Sequence, residues 1–212
     1  MRPVFRLLAL SILIAGCSPI GEEAAVAQEE AEVAAYPATA VLDAFRTACS
    51  YLASLEEAEA QILASGWVGV AEPLESPVGP VVQFGREAGA EMLRESGGTM
   101  SPMAVFSREV AGEELYLILS RVDVAENSVT GCRLFDIDET RSISIDAAAD
   151  WLDRTPDRQR DSEQLVQAEW RPGLIEGQDS FELFFVPQGS PALQITQVSG
   201  LAMKVDQIGF TE

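Results

Sequence analysis

"EELYLILSRVDVAENSVTGCRLFDI", residues 113–137, sets two runs of large and β-branched apolar residues on either side of the short polar break Ala125-Glu126-Asn127. Runs of this composition, separated by a break of hairpin length, read as two antiparallel strands. Just upstream, "MAVFSREV" (103–110) has the same character and is joined through Ala111-Gly112-Glu113, so the three segments form a meander. Cys132 lies in the third strand, with Leu134 on the same face.

The pattern changes on both sides of this meander. In residues 39–67, Val41, Leu42, Phe45, Ala48, Cys49, Leu52, Leu55, Ile62 and Leu63 follow helical spacing, with Thr39 as a candidate N-cap and Gly66 as a stop. The spacing predicts one long amphipathic helix with Cys49 on its core face. Residues 72–100, rich in Pro and Gly, read as an insertion with a short helix over Arg86 to Glu95. After the meander, "SIDAAADWLDRT" (144–155) predicts a second helix capped by Ser144 and closed before Pro156. Four further strand candidates follow: 165–173, 180–187, 192–200 and 201–210.

This order contains an internal similarity. Residues 113–132 and 181–201 share Glu-Leu entering a strand, a polar hairpin, and Val-x-Gly leaving the second strand, ending at Gly131 and Gly200 respectively. Each follows a helix. The reading favours an α+β fold: an antiparallel sheet with helices on one face, built as two duplicated helix-plus-β-meander halves. The strands "LYLIL" and "FELFF" place large apolar groups on both faces, which leaves a second face to be covered. The insertion at 72–100 is the expected cover, with another subunit or a ligand as the alternatives.

The first residues have a different logic. Arg2 and Arg6 precede an apolar stretch, Leu7 to Ala15, that is too short to span a bilayer. It ends in Ile14-Ala15-Gly16-Cys17, which resembles the lipobox of bacterial lipoproteins, although the commonest form has Leu where Ile14 stands. The resemblance covers only residues 1–17. It implies that residues 1–16 are a signal peptide and that Cys17 becomes the acylated first residue, anchored without crossing the membrane. Ser18, in place of the aspartate that retains such proteins in the inner membrane, implies the periplasmic face of the outer membrane. The competing reading is an ordinary secretory peptide cleaved near Ala27, with Cys17 incidental. Residues 17–37, rich in Ala and Glu with little large apolar content, read as a disordered acidic tether, followed by a single domain over 38–212.

With Cys17 assigned to lipid, Cys49 and Cys132 remain as an even pair in an oxidising compartment, and a disulfide between them is expected; two buried free thiols are the alternative. In the loop-entropy account, a link spanning 83 residues contributes about 4 to 5 kcal/mol. No Cys-x-x-Cys is present, which argues against a redox role.

Charge and composition narrow the chemistry. The chain carries a formal charge of −20, a surface that repels nucleic acid and anionic lipid. It contains no histidine, so His-based triads, Cys-His dyads and the usual zinc sites are excluded. Lys204 is the only lysine, and no Ser-x-x-Lys precedes it; phosphate-binding glycine motifs are also missing. Asp136, Asp138 and Glu139 could ligate calcium or supply a glycosidase-like acid, but a solvated strand end explains them more simply. Trp67, Trp151 and Trp170 could line a groove, yet their positions fit core packing better. No catalytic, cofactor or metal residue is assigned.

These readings favour a lipid-anchored periplasmic binding or interaction protein. Its partners would be the membrane, through its lipid, and an envelope protein or peptide. The alternatives are an acid-dependent hydrolase using paired carboxylates and a purely structural envelope component. The binding reading requires a groove or an apolar patch of several hundred Å² on the side away from the tether.

Overall fold

The computed structural model describes residues 34–210, so the expected signal peptide, Cys17 and most of the expected tether lie outside the described residues. Five helices are present among them: α1 (Ala38–Ala48), α2 (Leu55–Ala64), α3 (Gly79–Ser96), α4 (Ile145–Leu152) and α5 (Leu193–Thr196). The strands are β1 (Val68–Gly69), β2 (Thr99–Met100), β3 (Ala104–Val110), β4 (Glu113–Val124), β5 (Asn127–Ile137), β6 (Arg158–Ser162), β7 (Leu165–Trp170), β8 (Ser180–Val186) and β9 (Gly200–Phe210). They form one antiparallel sheet in the order β1-β3-β4-β5-β9-β8-β7-β6, with β2 paired to β4. The α+β class and the antiparallel sheet are as the sequence predicts.

The period of two along each strand divides the sheet into two apolar faces. On β4, Leu115, Leu117 and Leu119 join the main core, together with Cys132 and Leu134 of β5, Phe181 and Leu183 of β8, and Met203 and Val205 of β9. Val41, Leu42 and Phe45 of α1, Ile62 of α2 and Ala148 of α4 cover this inner face. The intervening residues Tyr116 and Ile118 join Val105 and Phe135 in a second cluster on the outer face, beneath Val78 and Val82 at the start of α3. The insertion therefore covers part of the second face, the role expected of it, while α1, α2 and α4 share the first; with α3 on the outer face, helices flank both faces rather than the one expected.

The two-half arrangement is visible in the topology. α1 precedes the meander β3-β4-β5, α4 precedes β7-β8-β9, and the last strands of the two halves pair, with Asn127–Ile137 antiparallel to Gly200–Phe210. Leu115 and Leu183 both face the inner core. The glycines do not correspond in register: Gly131 lies within β5 opposite Asp206, whereas Gly200 opens β9 opposite Ile137. Gly200 has φ +103°, and a Cβ there would lie 2.1 Å from the Asp136 carbonyl oxygen, so this strand start requires glycine.

Several expectations are corrected. The single helix over 39–67 is two helices, broken between Ala48 and Leu55, and Pro37 rather than Thr39 occupies the N-cap. The break is held from outside: Gln178 Nε2 donates to the Cys49 carbonyl at 2.7 Å. A new start is encoded at Ser54, whose Oγ accepts from the Glu57 N–H. The strand expected at 192–200 is instead the short helix α5, ended by Gln197 in the left-handed region. The short helix expected at 86–95 extends over all of α3. Tyr36, assigned to the tether, is buried in the inner core, so the packed domain begins before residue 38. α4 matches its expectation, with Ser144 Oγ accepting from the Ala147 N–H at 3.1 Å.

Cys49, at the end of α1, and Cys132, on β5, are both fully buried; their sulfurs are at bonding distance and their Cα atoms are 5.9 Å apart. Trp67, Trp151 and Trp170 all pack in or against the inner core. Trp170 Nε1 donates to the Arg154 carbonyl at 3.1 Å, and Trp151 Nε1 donates to Asp43 at 2.9 Å beneath the guanidinium of Arg46.

Candidate functional site

The outer face is only half covered. Across β4, β5, β9 and β8, strand register lines up Tyr116, Phe135, Ala202 and Phe184 in one row and Ile118, Arg133, Lys204 and Glu182 in the next. The start of α3 closes over the β3–β4 side, while α5 and the segment after it stand over the β8–β9 side. Between them runs a groove made of two cavities, about 300 and 420 Å³, that share Phe84, Arg133, Phe135 and Thr196.

The walls follow from local sequence. Gly85 and Gly89 lie one turn apart on α3, where a Cβ would come within 2.9 Å of the Met103 methyl and 2.6 Å of the Met100 sulfur. Their lack of side chains lets the two methionines pack against the helix and line the first cavity. On the opposite side, Ile195 and Val198 border the second cavity above Phe184 and Ala202. At the rim, Phe84 is 44% exposed and Ile195 77% exposed, so large apolar groups face water at the mouth.

The polar part of the lining is small and cationic. Arg133 and Lys204 stand directly opposite one another on β5 and β9, an arrangement that is unfavourable for like charges unless it is compensated. Asp206 compensates both, accepting from Arg133 Nη2 at 3.5 Å and from Lys204 Nζ at 3.0 Å. Glu182 accepts from Lys204 Nζ at 2.7 Å, and Ser120 Oγ accepts from Arg133 Nη1 at 2.9 Å. Burial alone would lower the Lys204 pKa; the hydrogen bond to Glu182 and the charge of Asp206 outweigh it, so the ammonium is held above its ordinary value. Lys204 is thus a fixed cation and not an activated nucleophile.

The acidic residues singled out in the sequence lie on a different part of the domain. Asp136 and Glu139 come together with Glu113, their carboxylate oxygens all within 4.8 Å of one another. Asp138 turns away, in the left-handed region, and accepts from Ser199 Oγ at 2.6 Å. Arg141 binds both Glu139 and Glu113, the latter at 2.8 Å, while the Tyr36 hydroxyl donates to Asp136 at 2.8 Å. Burial pushes Asp136 up to about 6, reinforced by the charges of Glu139 and Glu113. The hydrogen bonds from Arg141 hold Glu139 down at about 2. This divergence resembles that of an acid/base pair. However, Arg141 bridges Glu113 and Glu139, Asp136 is capped by Tyr36, and none of these acids lines the two cavities described above.

The cluster has a pH consequence of defined sign. Because Asp136 is raised above its unfolded value of 3.8, its contribution is fully present below that value and is lost as pH climbs through about 6. Glu139 behaves oppositely, with its contribution lost as pH falls toward about 2. Asp136→Asn keeps an acceptor for Tyr36 and removes the ionisation. The variant is expected to gain on the wild type by roughly 1 to 3 kcal/mol as pH rises from about 4 to about 7. Paired urea titrations across that range check it, and a constant difference would show that folding leaves the Asp136 pKa unchanged.

No protein-family model, curated protein or solved structure matches the chain. No helix among the described residues is long and apolar enough to cross a membrane. Among groove residues, Phe135 and Phe184 belong to strands whose two-faced apolar character is legible in the sequence. Gly85, Gly89, Met100 and Ile195 are not, because their role depends on how α3 and α5 lie over the sheet.

Proposed function

We propose that this protein is a lipid-anchored envelope binding protein, held by acylated Cys17 at the periplasmic face of the outer membrane, and that its binding site is the outer-face groove. The observation that carries the reading is the groove itself: two connected cavities of about 300 and 420 Å³ on the face opposite buried Tyr36, walled by Phe84, Phe135 and Phe184. A concave apolar site with a few convergent polar groups is the usual form of a small-ligand site. The carboxylate cluster supports the hydrolase alternative less well, because Arg141 and Tyr36 already occupy its acids.

Two measurements test the two parts. The anchor predicts a triacylated Cys17 in the membrane fraction of bacteria expressing the full chain, and release of the domain by Cys17→Ser; an unmodified terminus downstream of residue 17 would refute it. The groove predicts that the full chain carrying Cys17→Ser, in detergent-free buffer, enhances the fluorescence of the apolar probe N-phenyl-1-naphthylamine. Ala202→Trp, which puts an indole between Phe135 and Phe184, is expected to weaken that binding about tenfold or more. Unchanged binding would locate the probe elsewhere.

A further inference from the structure

We propose that the groove takes a single-chain amphiphile with a monoanionic head, a long-chain carboxylate, its chain along Phe84, Phe135 and Phe184 and its carboxylate on Arg133 and Lys204. The inference rests on the groove being a binding site and adds the class of ligand it would select.

Charge is the first argument. Asp and Glu total 34 in this chain against 14 Lys and Arg, yet the only charged residues lining either cavity are Arg133 and Lys204. The side chains of these cations are 32% and 28% exposed, whereas their acid partners Asp206 and Glu182 are 17% and 16% exposed. The two cations line the groove, whereas their acid partners, Glu182 beside Lys204 in the same row and Asp206 two residues along β9, do not.

Hydrogen-bonding capacity is the second. An ammonium has three donors and a guanidinium five. Lys204 uses two, toward Glu182 and Asp206, and Arg133 uses one on each terminal nitrogen, toward Ser120 and Asp206. Both retain donors for one further acceptor. Two cations and two acids already balance, so the incoming group can add one negative charge at modest cost, which favours a carboxylate over a doubly charged phosphate. The cavities continue from these donors along aromatic and aliphatic walls, with Met100 and Met103 able to adjust to a flexible chain.

The test compares three amphiphiles with the same alkyl chain, each below its micelle concentration, as competitors of N-phenyl-1-naphthylamine on the full chain carrying Cys17→Ser. Dodecanoate is expected to bind about tenfold more tightly than dodecanol, with dodecyltrimethylammonium weakest. Arg133→Gln is expected to bring dodecanoate to within about twofold of dodecanol. Lys204→Gln combined with Glu182→Gln, which removes a cation together with its partner, should act in the same direction. If dodecanol matches or exceeds dodecanoate on the unsubstituted groove, the anionic-head inference is overturned while the groove remains a binding site. If the probe itself does not bind, the groove reading fails as well. Retention of the carboxylate preference in both folded variants would also overturn the assignment, and if neither variant folds, the three-ligand comparison decides alone.

Discussion

Replacing Cys49 and Cys132 together with alanine is expected to remove about 4 to 5 kcal/mol of folding stability. The link joins the end of α1 to the middle of β5 across 83 residues of sequence, and that loop encloses α2, α3, β3 and β4. Without it the unfolded chain regains the entropy of a long open loop, while alanine at both positions keeps the apolar character of the buried site. Against a typical total of about 5–15 kcal/mol, the loss is large enough to lower the melting temperature by about 10 °C or more. Urea unfolding of the double variant, and of the wild type with and without reductant, measures it. Coincident midpoints would mean that the link contributes nothing.

The second large effect is expected at Phe181. Its ring lies 5.4 Å from Trp170, 5.9 Å from Phe45 and 6.5 Å from Trp151, centroid to centroid, so one side chain on β8 joins β7, α1 and α4. Truncation to alanine leaves a cavity bordered by three large residues that are themselves held by other contacts, and should cost about 3–5 kcal/mol. Phe181→Leu, which keeps most of the volume, should cost less than about 1.5 kcal/mol if packing is the cause. Equal losses in the two variants would point instead to a specific role for the ring. Because Phe45 belongs to the first half and Trp170 to the second, the alanine variant also tests whether the halves unfold together.

The sequence is most readable where one physical demand dominates. β3, β4, β5, β8 and β9 announce themselves because apolar residues at strand spacing must face a core, and α4 because Ser144 and Pro156 mark its ends. The cysteine pair was legible by elimination once Cys17 was set aside. The break between α1 and α2 was obscured because the apolar spacing runs through it; the competing signal was Ser54 with Glu57 three residues later, an N-terminal cap inside what looks like a continuous helix. β6 carries no apolar period at all, since "RQRDS" is exposed along nearly its whole length at the sheet edge, where charge discourages further pairing. The segment 192–196 has strand-like residues but turns as α5 over the outer face, and only that placement makes Ile195 a wall of the groove. Arg133 and Lys204 are 71 residues apart in sequence, and their juxtaposition depends on the register of β5 against β9.

The position of β9 also fixes an order of events. The last described strand lies at the centre of the sheet, between β5 and β8, with the full length of β5 as its partner. A chain emerging from the ribosome can form the β3-β4-β5 meander and the β7-β8 hairpin early, but each then carries an open edge that no earlier residue can fill. Residues 200–210 act as a keystone: until they are made, β5 and β8 have no common neighbour and the floor of the groove is incomplete. An interrupted synthesis would therefore yield edge-exposed fragments rather than a smaller folded protein.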